Sequence, residues 1–360
     1  MPLKYKRIAV KIGSNVLTRP DGKLDITRMS ALVDQIAFLH QKGVEIVLIS
    51  SGAVASGRSI LGIHKKMDVV DQRQLFSAVG QAKLINHYWD LFREHGITVG
   101  QVLTTKENFG SRRHYLNQRN CMQVMIENKV IPIVNENDTV SVTELMFTDN
   151  DELSGLIASM MDMQALIILS NVDGIFNGPP SDPSSTVIPE IQQGEDVSDF
   201  IQSTKSSFGR GGMATKTTIA RKIADEGIDV YIANGRNENI LTGLLDKKMQ
   251  VVSTRFRAAN ESVSSVKKWI AHSSGFAKGE VIINANAAKA LTGVQAVSLL
   301  LVGVTAIEGE FEKDDIIKIK SEDGAFLGVG KVQYDSEKAR EQMGKKNVKP
   351  LVHCDYLYLE

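Results

Sequence analysis

Arg7-Ile8-Ala9-Val10-Lys11-Ile12-Gly13-Ser14-Asn15 and Glu45-Ile46-Val47-Leu48-Ile49-Ser50-Ser51-Gly52-Ala53 share one plan, a run of strand formers that ends in small polar residues and glycine. Between them Asp25 and Thr27 offer N-caps, Met29, Leu32, Val33, Ile36 and Leu39 recur at helical spacing, and Gly43 supplies a stop. Strand, helix and strand in this order make a βαβ unit. Further β-rich runs at Thr98–Leu103, Val130–Asn135, Ala165–Ser170 and Asp229–Ala233 continue the rhythm. Val44–Ile49 and Ala165–Leu169 are apolar on consecutive residues, as in parallel strands covered on both faces. The expected fold class is therefore α/β with a central, mostly parallel sheet.

Outward from this core the pattern changes in three places. The amphipathic stretch from Asp71 to Gly96 is too long for one undistorted helix and carries Gly80 near its middle, which predicts a kink or break there. Asn177–Gln193, with Pro179, Pro180, Pro183 and Pro189, reads as a surface excursion. Beyond Ala277, the runs Gly279–Asn284, Val297–Ile307, Asp315–Lys320, Gly324–Gln333 and Leu351–Leu359 predict short strands, with one small helix near Ala285–Leu291. We therefore divide the chain into domains 1–275 and 276–360, with Ser273-Ser274-Gly275 as the linker.

The chain has 360 residues and balances 42 Lys+Arg against 42 Asp+Glu, so no whole-chain field draws it to nucleic acid or an anionic membrane. Cys121 and Cys354 lie far apart, which indicates neither a disulfide framework nor a zinc site and fits a reducing cytoplasm. The basic start runs straight into a strand rather than an export signal, and apolar stretches such as Val297–Val304 are too short to span a bilayer.

Ligands of an open parallel sheet bind beyond the carboxyl ends of its strands. Those ends are polar here: Lys11-Ile12-Gly13-Ser14-Asn15, Ser50-Ser51-Gly52-Ala53, Asn135-Glu136-Asn137-Asp138 and Ser170-Asn171-Val172-Asp173-Gly174, joined by Asp149-Asn150-Asp151. Each alone is an ordinary turn or cap. Their convergence on one sheet edge is what indicates a site. Lys11 is a cation inside an apolar strand, beside a glycine that permits close approach.

Gly209-Arg210-Gly211-Gly212, followed by Met213-Ala214-Thr215-Lys216, is a glycine turn that opens a helix. It lacks Walker A spacing and satisfies the dinucleotide pattern only loosely. Two readings stay open: a phosphate seat completed by Lys216, or a helix entry with an exposed lysine. Phosphoryl transfer needs positioning and positive charge around the moving group. Lys11 and Lys216 with an acidic orienter such as Asp151 form a coherent trio, leaving Ser50–Ala53, Asn135–Asp138 and Asn150 to hold an acceptor. The seven histidines are scattered, with no HExxH, and receive no catalytic role.

At these residues the sequence resembles the amino acid kinase family. The segments are Val10-Lys11-Ile12-Gly13-Ser14, Ser51-Gly52-Ala53-Val54, Val79-Gly80-Gln81, Tyr115-Leu116-Asn117, Asn135-Glu136-Asn137-Asp138, Asp149-Asn150-Asp151 and Gly211-Gly212-Met213-Ala214-Thr215-Lys216, in the family's order. The tail resembles a PUA domain at Gly279-Glu280, Gly303-Val304, Gly309-Glu310-Phe311 and Gly328-Val329-Gly330, which favours the family's glutamate-acting members over those acting on acetylglutamate, aspartate, carbamate or uridylate.

The resemblance implies a three-layer αβα sandwich followed by a small β-rich domain. It also implies Mg²⁺-dependent transfer of the ATP γ-phosphoryl group to the side-chain carboxylate of L-glutamate, the first step of proline synthesis. By position, Lys11 and Lys216 would neutralise the moving group and Asp151 would orient them. Ser51, Gly52, Ala53, Asn135, Asp138 and Asn150 would bind glutamate, with Asp138 toward the α-ammonium group. Ser170, Asn171, Arg210, Gly211, Gly212, Met213, Ala214 and Thr215 would line the ATP site with the two lysines. Proline feedback inhibition, a homo-oligomer (dimer or tetramer) and channelling to glutamyl phosphate reductase are also implied. Two departures stand out: Ser170-Asn171 replaces the usual Thr-Asp, and Arg210 replaces a Thr. Retained ATP use is expected, with altered nucleotide affinity as a consequence of the exchanged charges. PUA domains elsewhere accompany RNA-modifying enzymes, but residues 277–360 hold 11 Lys+Arg against 13 Asp+Glu, which argues against an RNA surface.

Overall fold

The structure, a computed structural model, describes residues 1–62, 67–140, 147, 149–179, 182–197, 200, 212–260, 265–293 and 296–359. The chain divides into two compact units, residues 1–106 with 117–262, and residues 107–116 with 263–360.

The first unit begins with β1 (Arg7–Ile12), the short α1 (Ser14–Leu17), α2 (Ile26–Gln41), β2 (Glu45–Ser50), α3 (Ala53–Leu61), α4 (Val69–Arg93) and β3 (Val99–Thr104). After α5 (Glu107–Gly110) and α6 (Arg112–Glu127) come β4 (Ile131–Glu136), α7 (Asn150–Met160), β5 (Ala165–Ser170), β6 (Glu190–Ile191), α8 (Met213–Asp225), β7 (Asp229–Asn234), α9 (Ile240–Leu245) and β8 (Thr254–Phe256). Eight strands form one sheet in the order β3-β4-β2-β1-β5-β7-β8-β6. From β3 to β7 every pairing is parallel, and β8 then runs antiparallel to β7. The expected surface excursion thus contributes one short strand, β6, which pairs with β8.

Successive side chains of a strand point to opposite faces. Ile8, Val10 and Ile12 enter a core shared with Leu32 of α2, Leu84 of α4 and Leu241 of α9. Ala9 and Lys11 therefore face the other way, where α7 packs on β1, β2, β4 and β5, and α8 packs on α7 and β7. Helices on both faces make the αβα layering that consecutive apolar strands require. Lys11 is the buried cation of that strand, and its position on the α7 face decides where the chemistry sits.

The break expected at Gly80 is absent: α4 is one helix of 25 residues. Gly80 serves close packing instead. A Cβ there would lie 1.8 Å from the Ala53 carbonyl oxygen, and one on Gly57 would lie 1.8 Å from the Phe76 carbonyl oxygen. The two glycines let the backbones of α3 and α4 touch.

The second unit includes α5, α10 (Ser265–Ala271), β9 (Gly279–Ile283), α11 (Ala285–Leu291), β10 (Val304–Gly309), β11 (Ile316–Ser321), β12 (Phe326–Val332), α12 (Ser336–Gln342) and β13 (Val352–Leu359). Its sheet runs β10-β9-β11-β12-β13 over a core of Val281, Ile283, Leu301, Ile317, Ile319 and Val352. The run read as one strand at Val297–Ile307 is a bridge at Leu299, a 3₁₀ turn at Leu301–Gly303 and then β10. Helix α12 escapes sequence periodicity because Ala339 is its one buried hydrophobic residue. Ser273-Ser274-Gly275 is not a free linker: Ser273 is fully buried and its hydroxyl donates to the Trp269 carbonyl at 2.6 Å. The division drawn at 275/276 falls inside this second unit. Among the described residues no helix is long and apolar enough to cross a membrane.

Gly80→Ala has to push α3 away from α4. We expect urea unfolding to show a loss of about 1–3 kcal/mol; an unchanged midpoint would show that the helices do not meet through backbone at this glycine.

Candidate active site

One cavity of about 770 Å³ opens at the carboxyl ends of β1, β2, β4 and β5. Its volume is in the usual range for small-molecule sites. Gly13 follows β1, and its amide donates to the Leu169 carbonyl at 3.0 Å. A Cβ there would press on that carbonyl oxygen at 3.0 Å and sit 3.6 Å from Lys11 Nζ, so glycine lets the strand end lie close to the ammonium group without displacing the Leu169 carbonyl. Gly52, at φ +107°, turns the end of β2 into α3 through left-handed backbone that favours glycine.

The charged centre is built from three elements. Asp149 caps α7, its Oδ1 accepting the amides of Asp151 at 2.9 Å and Glu152 at 3.0 Å. This cap fixes the first turn of α7 and so aims Asp151 at β1. Lys11 Nζ lies 2.6 Å from Asp151 Oδ1, and Lys216 Nζ, from the first turns of α8, donates to Asp151 Oδ2 at 2.8 Å. Asp151 is 1% exposed, Lys11 5% and Lys216 9%. Burial alone would raise the Asp151 carboxyl; the two ammonium groups outweigh it and hold it at about 2. Asp149 moves the other way, pushed up to about 6 by burial and by the Asp151 charge. Its Oδ2 is buried with no hydrogen-bond partner among the described residues.

A polar chain lies beside this centre. Asn150 Nδ2 is 3.1 Å from the Ser50 carbonyl, 3.0 Å from Ser51 Oγ and 3.0 Å from Asn135 Oδ1, and Asn135 in turn donates to Gln81 Oε1 at 2.9 Å. Farther along, Arg73 of α4 bridges two carboxylates. Its Nη2 donates to Glu136 Oε2 at 2.5 Å and its Nε pairs with Asp138 Oδ1. Burial raises both carboxyls against the pull of Arg73, Glu136 to about 7.

Of the residues singled out from the sequence, Lys11, Ser51, Gly52, Ala53, Asn135, Asp138, Asn150, Asp151, Ser170, Asn171, Gly212, Met213 and Lys216 line this one cavity. Ala214 and Thr215 begin α8 but do not line it. Arg210 and Gly211 lie outside the described residues. Sequence reasoning assigned no individual role to Gln81, Glu136 or Asp149, which stood within quoted motifs, or to Arg73, which sat on an amphipathic helix where an arginine ordinarily marks a solvated face.

Two buried ammonium groups sharing one carboxylate, set at a helix start in a cavity that also holds amide and hydroxyl groups, define a site for moving an anionic group. That is a phosphotransferase site on an α/β sheet. The chain belongs to the amino acid kinase family: that family's pattern matches residues 6–234, and the PUA domain pattern matches residues 279–353. It is 70% identical over 360 residues, all of both chains, to a protein of Bacteroides thetaiotaomicron named glutamate 5-kinase. It is 50% identical over 357 residues, 99% of this chain and 98% of the other, to one so named from Chlorobaculum tepidum. Among solved structures, an isopentenyl phosphate kinase superposes with a TM-score of 0.50 at 16% identity, over 69% of this chain and 99% of that one, a likeness of fold.

The charge triad also sets a stability expectation. The Asp151 carboxyl titrates lower in the folded chain than its unfolded value of about 3.9, so its contribution is complete above that value and is lost as pH falls toward 2. Asp151→Asn leaves two buried ammonium groups uncompensated and should cost about 3–5 kcal/mol at pH 7. Urea unfolding of both proteins should show the gap narrowing as pH falls from 4 toward 2; a gap that widens over that range would contradict the ion triad.

Proposed function

We propose that this chain transfers the γ-phosphoryl group of ATP to the side-chain carboxylate of L-glutamate, giving L-glutamyl 5-phosphate for proline synthesis. The observation that carries the reading is Asp151 held between Lys11 and Lys216 in the shared cavity. The names of full-length relatives support the acceptor and the nucleotide.

In this reading the acceptor carboxylate, ionised at pH 7, attacks the γ-phosphorus as the bond to the β,γ-bridging oxygen breaks, and ADP leaves. No general base is needed. Lys11 and Lys216 offset charge on the moving group, preorganised because Asp151 already holds both. The α8 start at Gly212 adds backbone amides facing phosphate. Ser170 and Asn171 flank the nucleotide, and Val172, Ile175 and Phe176 give its base an apolar wall. Ser51, Gly52, Ala53, Asn135 and Asn150 hold the glutamate carboxylates, and Asp138 takes the α-ammonium group.

The residues fit a magnesium nucleotide. Bound with the nucleotide, Mg²⁺ would supply charge neutralisation, and the unpartnered Asp149 Oδ2 is a buried side-chain oxygen of the cavity that would hold it through water. The rest of the reading extends from the same groups. Proline carries the same carboxylate and ammonium pair as the α-carbon of glutamate, so it would compete at the acceptor end. The acyl phosphate is reactive, which favours hand-off to a reductase. A homo-oligomer and a cytoplasmic setting complete the proposal, the latter in keeping with two free cysteines, one of them exposed. The catalytic role is proposed for the first unit, and the PUA pattern lies within the second.

Purified protein with ATP, Mg²⁺ and glutamate, N-acetylglutamate or aspartate, trapped with hydroxylamine, should give hydroxamate chiefly with glutamate. A larger yield with either other acceptor would overturn the assignment. Lys216→Ala should lower turnover about 10²–10³-fold with the fold intact by circular dichroism; full activity would remove Lys216 from the mechanism.

A further inference from the structure

Arg73 belongs to no motif, yet it is the cation that α4 carries into the acceptor end of the cavity. It takes one oxygen from each of two carboxylates, Glu136 Oε2 and Asp138 Oδ1. The remaining oxygen of Glu136 accepts the Phe147 amide at 3.0 Å, and Glu136 is 2% exposed and does not line the cavity. Among the described residues, the remaining oxygen of Asp138 receives a long contact from Ser77 Oγ at 3.4 Å, the Asp138 carboxyl also hydrogen-bonds with that of Glu136, and Asp138 lines the cavity. Asp138 Oδ2 is thus the least engaged carboxylate oxygen that this cluster brings to the cavity.

We propose that Arg73 is a positioning residue that sets acceptor specificity, holding Asp138 ionised and turned so that Oδ2 meets the α-ammonium group of an amino acid. The proposal rests on the glutamate reading above and deepens it. The guanidinium fork matters as well as the charge. Nε and Nη2 reach two different carboxylates at once, which a lysine nitrogen on a flexible stem does not reproduce. Among the described residues, the groups acting on the pair are Arg73 and Ser77 from α4, the Phe147 amide, and each carboxylate on the other. Residues 63–66 and 141–146 lie outside that set.

Without Arg73, burial and mutual repulsion act on the two carboxyls unopposed, and one of them keeps its proton to higher pH. The ammonium group then meets less negative charge near neutrality, and raising the pH restores it. The test is ADP release by the full chain at saturating MgATP, with glutamate varied from pH 6.0 to 8.5, for the parent, Arg73→Gln and Arg73→Lys.

For Arg73→Gln at pH 7 we expect KM for glutamate to rise about tenfold or more, with kcat within about threefold and KM for ATP unchanged. The midpoint of the pH dependence of that KM should move up by about one unit. Arg73→Lys, keeping the charge but not the fork, should leave the midpoint near the parent's and give an intermediate KM. Thermal melts monitor folding, and if Arg73→Gln does not fold, the Lys variant carries the test through its KM. Unchanged KM for glutamate in the folded variants, or equal losses in kcat and in both KM values, would overturn the proposal. A parent inactive on glutamate would instead sink the assignment of function.

Discussion

Everything in the catalytic unit is arranged around a carboxylate that cannot be left alone. Asp151 is almost completely buried, and an unpaired carboxylate there would be neutralised by protonation. Lys11 from a strand and Lys216 from a helix keep it ionised, and it in turn keeps both cations dry, fixed and close together. The two lysines and Asp151 together carry net positive charge, with the Asp149 carboxyl close enough to feel both ammonium groups. That imbalance is costly for folding and useful for phosphoryl transfer, because the stabilising charges are in place before the transition state forms.

The far end of the cavity obeys the opposite logic. Glu136 and Asp138 supply excess negative charge, and Arg73 removes one unit of it. Between the two charged ends, Ser51, Asn150, Asn135 and Gln81 form a neutral polar chain. A positive end, a neutral middle and a negative end give the cavity the charge pattern that the proposed nucleotide and amino acid require. The close contact of α3 and α4 at Gly57 and Gly80 holds this side in place, because Arg73 and Gln81 ride on α4 while Gly52 and Ala53 start α3.

The second unit has its own core and its own five-stranded sheet, with balanced charge. Its short strands follow from β-rich runs between turns, and its 3₁₀ turn at Leu301–Gly303 ends on a glycine that packs closely on Ala287 of α11.

The strands of the parallel sheet were legible to within a residue because buried parallel strands must be apolar on successive positions, a constraint that local composition records. The same holds for the small polar endings of those strands and for the oddity of Lys11. Helix α4 was misread because Gly80 looks identical whether it breaks a helix or lets another backbone approach; the choice depends on Ala53, which is remote in sequence. Arg73 was invisible for a related reason, since nothing along its own helix distinguishes a solvated arginine from one that clamps two carboxylates of another strand. Local sequence determined which elements form and which residue types end them, because propensity and burial periodicity act over short range. Only the tertiary structure decided which charges meet, since each ion pair joins residues from separate elements and exists only once the sheet is assembled.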